Sequence, residues 1–182
     1  RSRHIDVSYS KVWLSRHAFT TFADHVLTTS TKITTHFQET FHLPDDRITT
    51  LPTGIDVEKF RPEGPKAELP VKQGPGAPPV IGMVSVLRRW KGHEPFFDAI
   101  RMLREAGHDY QYVVVGGGAP QEIFFKRAET RGVGDIVRFT GHRDDVPEIL
   151  RALDVLCIPS LDHEGVPQIG LQALACGTPV VG

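Results

Sequence analysis

Hydrophobic and polar positions in residues 80–182 follow two spacings, one typical of buried strands and one of amphipathic helices. Short apolar runs occupy 80–87, 110–115, 136–139, 155–158 and 179–181. Between these runs apolar residues recur three or four positions apart, as Phe96, Ile100 and Leu103 do. Strands that alternate with helices in this way predict an α/β domain, a parallel sheet with helices on both faces.

Residues 1–60 predict a shorter series of the same elements. Helical spacing predicts a helix over 11–22, with Leu14, Ala18 and Phe22 on its apolar face and Phe19 beside them. Ser30 can cap a second helix, because its hydroxyl can accept a hydrogen bond from a backbone N–H of the first turn. The apolar face of that helix would comprise Ile33, Phe37 and Phe41. Apolar runs at 26–27 and 48–51 predict two strands.

The stretch 61–79 separates the two regions and is dense in proline and glycine. Such a composition predicts an interdomain linker, and an ordinary surface loop is the alternative. We therefore predict domains at 1–60 and 80–182. Because Arg1 is not an initiator Met and the final Val-Val-Gly directly follows a predicted strand, we expect a fragment of a longer chain.

Composition narrows the classes of partner and the cell compartment that we expect. The chain has 21 basic and 22 acidic residues, a balance that gives no argument for a nucleic-acid partner. Cys157 and Cys176 lie in apolar segments, which predicts buried, reduced thiols in a cytosolic protein. No apolar run approaches the length of a membrane span, which leaves peripheral membrane contact open. The nine histidines show no metal-ligand spacing, and we predict no metal.

The candidate chemistry concentrates in 159–182, a polar loop followed by an apolar-periodic helix. A helix that starts at the carboxyl edge of a parallel sheet offers free N–H groups to an anion where such sheets bind ligands. Pro167 has no N–H, so the candidate phosphate donors are Gln168, Ile169 and Gly170.

Two polar side chains, Glu164 and Gln172, flank this helix start. Glu164 could accept hydrogen bonds from sugar hydroxyls, and Gln172 could accept one from a ribose hydroxyl. In the alternative interpretation Glu164 caps the helix and Gln172 is solvated.

A run of three glycines, 116–118, follows the second strand of the larger region. It is not G-x-G-x-x-G and lacks an acidic residue at dinucleotide spacing, which gives a nicotinamide site little support. Small residues such as Gly117 would let the backbone approach a nucleotide, and a plain tight turn is the alternative.

The motif EGVPQIGLQALACGTPVVG resembles the signature of the retaining glycosyltransferases of family 4, the glycosyl transferases group 1. Further segments resemble the family in order and spacing: LPTGIDVEKFRP, IGMVSVLRRWKGHE, VVVGGGAP and VRFTGHRDDVPEILRALDVLCIPS. The resemblance covers essentially the whole chain. Within the family, the chain most resembles enzymes that build lipopolysaccharide cores.

The resemblance implies a GT-B fold, two Rossmann-like domains that are truncated here. Residues 1–60 would be the end of the acceptor domain, and 80–182 most of the nucleotide-sugar donor domain. The implied enzyme moves a sugar from a nucleoside diphosphate sugar to a hydroxyl of a saccharide or glycolipid, with retention at the anomeric carbon. It would need neither metal nor cofactor. It would work in the cytoplasm, and a place at the inner face of the membrane is the alternative.

The family's donor-binding roles transfer to matching positions. Glu164 would hold hydroxyls of the donor sugar, and Gln172 the ribose, at a position that is usually Glu. The diphosphate would lie against Gly165 to Gly170, a stretch that includes Gln168 and Ile169. Lys91 matches the family's diphosphate lysine.

Other family positions match less directly. The partner arginine usually stands where this chain has Val86, so Arg88 or Arg89 must replace it, and we favour Arg88. His142 and Arg143 would border the base, with a plain loop histidine as the alternative for His142. His4 resembles an active-site histidine near the transferred sugar.

Two other classes of function stay open at this stage. One is a nucleotide-sugar epimerase of the same fold. The other is a non-catalytic nucleotide-sugar binding module, which Gln172 and Val86 favour because both depart from the family pattern.

Overall fold

The structure is a computed structural model that describes residues 2–3, 13–161 and 166–182. The chain divides into two compact units. Among the described residues, the first unit comprises 2–3, 13–54 and 166–167, and the second comprises 55–161 and 168–182.

The first unit is a three-stranded parallel sheet with helices. Its elements are β1 (Ser2–Arg3), α1 (Trp13–Thr20), β2 (Val26–Thr28), α2 (Thr31–Phe41) and β3 (Ile48–Thr50), in the sheet order β1-β2-β3. A short 3₁₀ turn, Asp45–Arg47, precedes β3.

The prediction for α2 is confirmed, and that for α1 is wrong at its end. The Ser30 hydroxyl accepts a hydrogen bond from the Ile33 N–H, and the three predicted apolar residues of α2 are buried. In α1 the amides of Thr21 and Phe22 both donate to the His17 carbonyl, which closes the helix. Phe22 therefore lies beyond the last turn and is 78% exposed, whereas Phe19 is buried.

The second unit is a five-stranded, all-parallel sheet in the order β6-β5-β4-β7-β8. Its elements are β4 (Val80–Val84), α3 (His93–Glu105), β5 (Gln111–Val115), α4 (Gln121–Thr130), β6 (Val137–Gly141), α5 (Val146–Ala152), β7 (Val155–Cys157), α6 (Gln168–Ala175) and β8 (Val180–Val181). Helices α3 and α4 cover one face, and α5 and α6 pack on the other. The predicted parallel sheet with helices on both faces is confirmed.

Two local predictions in this unit are wrong. Strand β4 ends at Val84, whereas the apolar run continues to Leu87, because Leu87 is buried in a turn and forms only an isolated bridge with Gly118. The spacing of Asp145 and Glu148 is that of a capping box and predicts that Asp145 caps α5, but its side chain makes no capping hydrogen bond. Its carboxylate binds the guanidinium of Arg143 instead.

The proline-rich stretch 61–79 falls inside the second unit. Ala67 and Leu69 are buried in the core beside α5 and α6, and the Ala67 N–H donates to the Glu148 carbonyl at 2.9 Å. Arg151 of α5 is itself buried. Its guanidinium donates to the carbonyls of Pro65 and Arg61 at 2.8 and 3.1 Å, which fastens this stretch to α5.

None of the described helices combines the length and the apolar character that crossing a bilayer needs. Both cysteines are free thiols. Cys176 is buried as predicted, and Cys157 is half-buried. Burial raises the pKa of both thiols.

Candidate functional site

The strand order of the second unit creates a topological switch point between β4 and β7. From β4 the sheet continues to β5 on one side and, after β6, resumes with β7 on the other side. In open α/β sheets ligands bind at the carboxyl ends of the strands at such a point. The loops that follow β4 and β7 therefore form the candidate site.

The loop after β4 presents a cationic turn. Arg88 is extended, and Arg89–Lys91 forms a single 3₁₀ turn. The guanidinium carbon of Arg88 lies 5.0 Å from the centroid of the Trp90 ring, a cation–π arrangement. Arg88 and Arg89 are exposed, and Lys91 is half-buried. The structure thus places the two predicted cations, Arg88 and Lys91, on the same turn at the switch point.

Gly92 joins this turn to the loop after β7. Its φ of 77° lies in the left-handed region, and a Cβ atom there would come within 1.8 Å of the Pro159 carbonyl oxygen. A hydrogen bond of 2.9 Å from the Leu161 N–H to the Trp90 carbonyl adds a second link. The cationic turn and the loop that leads toward α6 are consequently held against each other.

Helix α6 begins at Gln168, so the three predicted phosphate donors are its first three residues. Their amide groups have no carbonyl one turn earlier in the helix to bond to. Gln168 is exposed, Ile169 half-buried and Gly170 buried, while Gln172 lies one turn further and is half-buried. The other predicted residues of this region, Glu164 and Gly165, lie outside the described residues, as does His4.

A cavity of about 540 Å³ opens at the carboxyl ends of β4, β5 and β6. It is lined by the ends of the strands, the three glycines and the loop after β6: Val84, Ser85, Val86, Val115, Gly116, Gly117, Gly118, His142, Arg143 and Val146. The structure therefore brings together three of the residues predicted to border the nucleotide, Gly117, His142 and Arg143.

Contacts with neighbouring protein atoms leave little room for a side chain at Gly116 and Gly117. Gly116 has φ 146°, and a Cβ atom there would come within 1.8 Å of the Ser85 carbonyl oxygen. A Cβ atom at Gly117 would lie 3.2 Å from the Cβ of His142. These residues let the loops after β4, β5 and β6 converge, and the convergence forms the wall of the cavity.

Arg143 lines the cavity, but its guanidinium is engaged elsewhere. It forms an ion pair with Asp145, and its Nη1 donates to the Glu68 carbonyl at 3.1 Å. The hydrogen bonds between the two side chains raise the pKa of Arg143 and lower that of Asp145. The neighbouring His142 is largely exposed, and its Nε2 lies 3.2 Å from an Asp144 carboxylate oxygen.

Sequence reasoning missed His93, which follows the cationic turn directly. It is buried at the start of α3, and desolvation lowers its pKa from 6.5 to about 4. The Arg88 carbonyl opposes this shift, and the charges of Arg127 and Lys91 add to it. Its position directly after Lys91-Gly92 is the feature of the sequence that could have identified it.

The parallel sheet with helices on both faces and the loops at its switch point are typical of the GT-B glycosyltransferase class, and comparison with known proteins agrees. The family model for glycosyl transferases group 1 matches residues 66–182. The chain therefore belongs to the glycosyl transferases group 1, a family of transferases.

The relatives include two bacterial glycosyltransferases. A GDP-mannose-dependent alpha-(1-6)-phosphatidylinositol monomannoside mannosyltransferase of Mycobacterium tuberculosis is 33% identical over 147 residues, 76% of this chain and 38% of the relative. A 2-deoxystreptamine glucosyltransferase of Streptomyces kanamyceticus is 34% identical over 140 residues, 73% of this chain and 35% of the relative. The chain thus spans little more than a third of these relatives.

Solved structures show the same fold. The Anabaena protein HepE in complex with UDP superposes with a TM-score of 0.78 at 20% identity, over 100% of this chain and 52% of that protein. WaaG, a glycosyltransferase involved in lipopolysaccharide biosynthesis, gives a TM-score of 0.69 at 25% identity, over 85% of this chain and 43% of that protein.

Proposed function

We propose that the protein transfers a sugar from a nucleoside diphosphate sugar to a hydroxyl of a saccharide or glycolipid, with retention at the anomeric carbon. The observation that carries the proposal is the junction at the switch point, where the cationic Arg88–Lys91 turn is bonded to the loop after β7. Membership of the glycosyl transferases group 1 supports the reaction class.

In this proposal the donor lies along the carboxyl edge of the second unit. The nucleoside occupies the cavity beside Gly117 and His142, which is bounded mainly by backbone and apolar side chains. The diphosphate lies between the cationic turn and the first amides of α6. The predicted contacts of Gln172 with the ribose and of Glu164 with the sugar complete the donor site.

Charge stabilisation in this arrangement comes from the chain's own residues. When the bond to the sugar breaks, negative charge grows on the departing diphosphate. The cations of Arg88 and Lys91 would offset that charge, and the N–H groups at the start of α6 would add to their effect. The proposed mechanism accordingly assigns no step to a metal or cofactor.

The relatives suggest candidates for the donor base and for the acceptor. The mycobacterial relative is described as GDP-mannose-dependent, whereas HepE was solved with UDP. Acceptors named for relatives include a phosphatidylinositol mannoside and 2-deoxystreptamine, and WaaB is a lipopolysaccharide outer core galactosyltransferase. We propose a role in lipopolysaccharide, polysaccharide or glycolipid synthesis, with the cytoplasm or the inner face of its membrane as the predicted location.

A binding module without catalysis is the second candidate. It is favoured by Val86, whose apolar side chain lines the cavity where the family usually carries arginine. Saturable binding of a nucleotide sugar by the full-length protein, with neither transfer nor hydrolysis, would select this alternative.

The proposed reaction is tested by incubating the full-length protein with UDP- and GDP-sugars and a pool of glycan acceptors. Proton NMR should show a product with the anomeric configuration of the donor. Glu164→Ala should lower the transfer rate about a hundredfold, because a polar contact that strengthens in the transition state is lost. Glu105→Ala, on the exposed face of α3, is the matched control and should transfer normally. Near wild-type transfer by Glu164→Ala would remove the role assigned to that carboxylate, and an inverted product would refute retention.

A further inference from the structure

His93 is a buried polar residue whose hydrogen-bonding capacity is unused. Its side chain is 1% exposed, and its ring lies against Phe124 of α4 with centroids 4.6 Å apart. Neither ring nitrogen has a hydrogen-bond partner within the described part of the chain. Buried polar groups nearly always have partners, so an unpartnered imidazole beside a cationic turn requires an explanation.

The backbone carbonyl of Arg88 is a suitable acceptor for this imidazole. Interaction with this carbonyl raises the pKa of His93, although neither ring nitrogen reaches hydrogen-bond geometry with it. The same carbonyl already accepts the Lys91 N–H at 3.1 Å, and a carbonyl oxygen can accept a second bond. The Arg88 carbonyl therefore has the capacity to accept a bond from His93 as well.

The turn is more exposed than His93 is. His93 is fixed by its place in α3 and by the contact with Phe124, whereas Arg88 and Arg89 are exposed to solvent. An anion bound by the side chains of Arg88 and Lys91 would pull on the turn as a whole. Ligand binding would then be coupled to formation of the His93 bond.

We propose that His93 is a positioning residue, which donates a hydrogen bond to the Arg88 carbonyl when a nucleoside diphosphate binds and so holds the Arg88–Lys91 turn against the ligand. The inference rests on the proposed function of that turn. The imidazole is neutral at physiological pH, since burial and the charges of Arg127 and Lys91 disfavour its protonation. A neutral imidazole carries one N–H, which matches one acceptor.

The test compares binding of UDP and GDP by calorimetry in the wild type and in His93→Phe, which keeps the ring contact with Phe124 and removes both nitrogens. The dissociation constant should rise about five- to tenfold, the worth of one hydrogen bond, while the melting temperature stays equal or rises. A purely structural histidine would lower stability and binding together. His93→Asn or His93→Gln, which each restore an N–H donor, should recover binding, and His108→Phe at the far end of α3 should bind normally.

NMR of the unsubstituted protein tests the proposal independently of whether the variants fold. In proton–nitrogen NMR spectra, UDP or GDP should convert one His93 ring N–H into a slowly exchanging, hydrogen-bonded signal. Unchanged ring signals at saturating nucleotide, or unchanged affinity in a folded His93→Phe variant, would overturn the positioning role alone. Absence of nucleotide binding by the wild type would overturn the proposed function, and the positioning role with it.

Discussion

Single residues allow the loops after β4 and β7 to approach each other closely, and Gly92 is the main example. Gly92→Ala adds a side chain both in the left-handed region and against the Pro159 carbonyl. Gly107→Ala meets the same conformation, φ 82°, with nothing within 4 Å. The control should lose about 1–2 kcal/mol of unfolding free energy from conformation alone. Gly92→Ala should lose about 1–3 kcal/mol more from overpacking. Equal losses in urea unfolding would contradict the close approach.

His93 also predicts a dependence of stability on pH. Its pKa is lowered to about 4 in the folded protein from an ordinary value of 6.5, so between these values the unfolded chain binds a proton that the folded chain does not. Stability from this residue is therefore complete above pH 6.5 and is lost as the pH falls toward 4. The loss should reach about 3 kcal/mol.

Urea unfolding from pH 7.5 to 4 measures this effect as the difference between the wild type and His93→Phe. The difference removes the contribution of other titrating groups, provided both variants fold. Parallel pH profiles would show that His93 is protonated equally in both states.

At the scale of elements, Arg151 of α5 makes the proline-rich stretch part of the second unit. Arg151→Met would leave the carbonyls of Arg61 and Pro65 without their donor. The unfolding free energy should fall by about 2–3 kcal/mol, and the Ala67 amide should exchange faster with solvent. Arg101→Met, which breaks only an exposed pair with Glu105, should cost less than about 1 kcal/mol. Slow exchange at Ala67 in Arg151→Met would contradict the anchoring role.

Elements were predictable from the sequence where local chemistry determines them. Helix α2 combines a capping serine with apolar residues at regular helical spacing, and both signals act within one helix. The role of 61–79 was not visible in the same way. Its composition indicates an interdomain linker or a surface loop, but Arg151 lies 86 positions beyond Pro65, and no local pattern encodes that contact. Asp145 shows the same limit, because Arg143 competes for the carboxylate that capping would need.

At the scale of the whole molecule, the alternation of strands and helices predicted the fold class, and the parallel order β6-β5-β4-β7-β8 confirms it. The arrangement of the site was only partly predictable. Sequence motifs identified Lys91, Gly117 and His142 one by one. The approach of the loops that carry them depends on glycines whose neighbours, Ser85 and Pro159, come from other loops. Sequence spacing does not report such contacts.

In the proposed function, the carboxyl edge of the second unit binds a nucleoside diphosphate through the turn at Lys91. Calorimetric titration with UDP and GDP tests it most directly. The wild type should bind at least one of them saturably. Lys91→Ala should weaken that binding by about 1–3 kcal/mol, the worth of a charged hydrogen bond, while Lys72→Ala, beside the amino end of β5, should not. Absence of binding by the wild type, or equal affinity in wild type and Lys91→Ala, would contradict the claim.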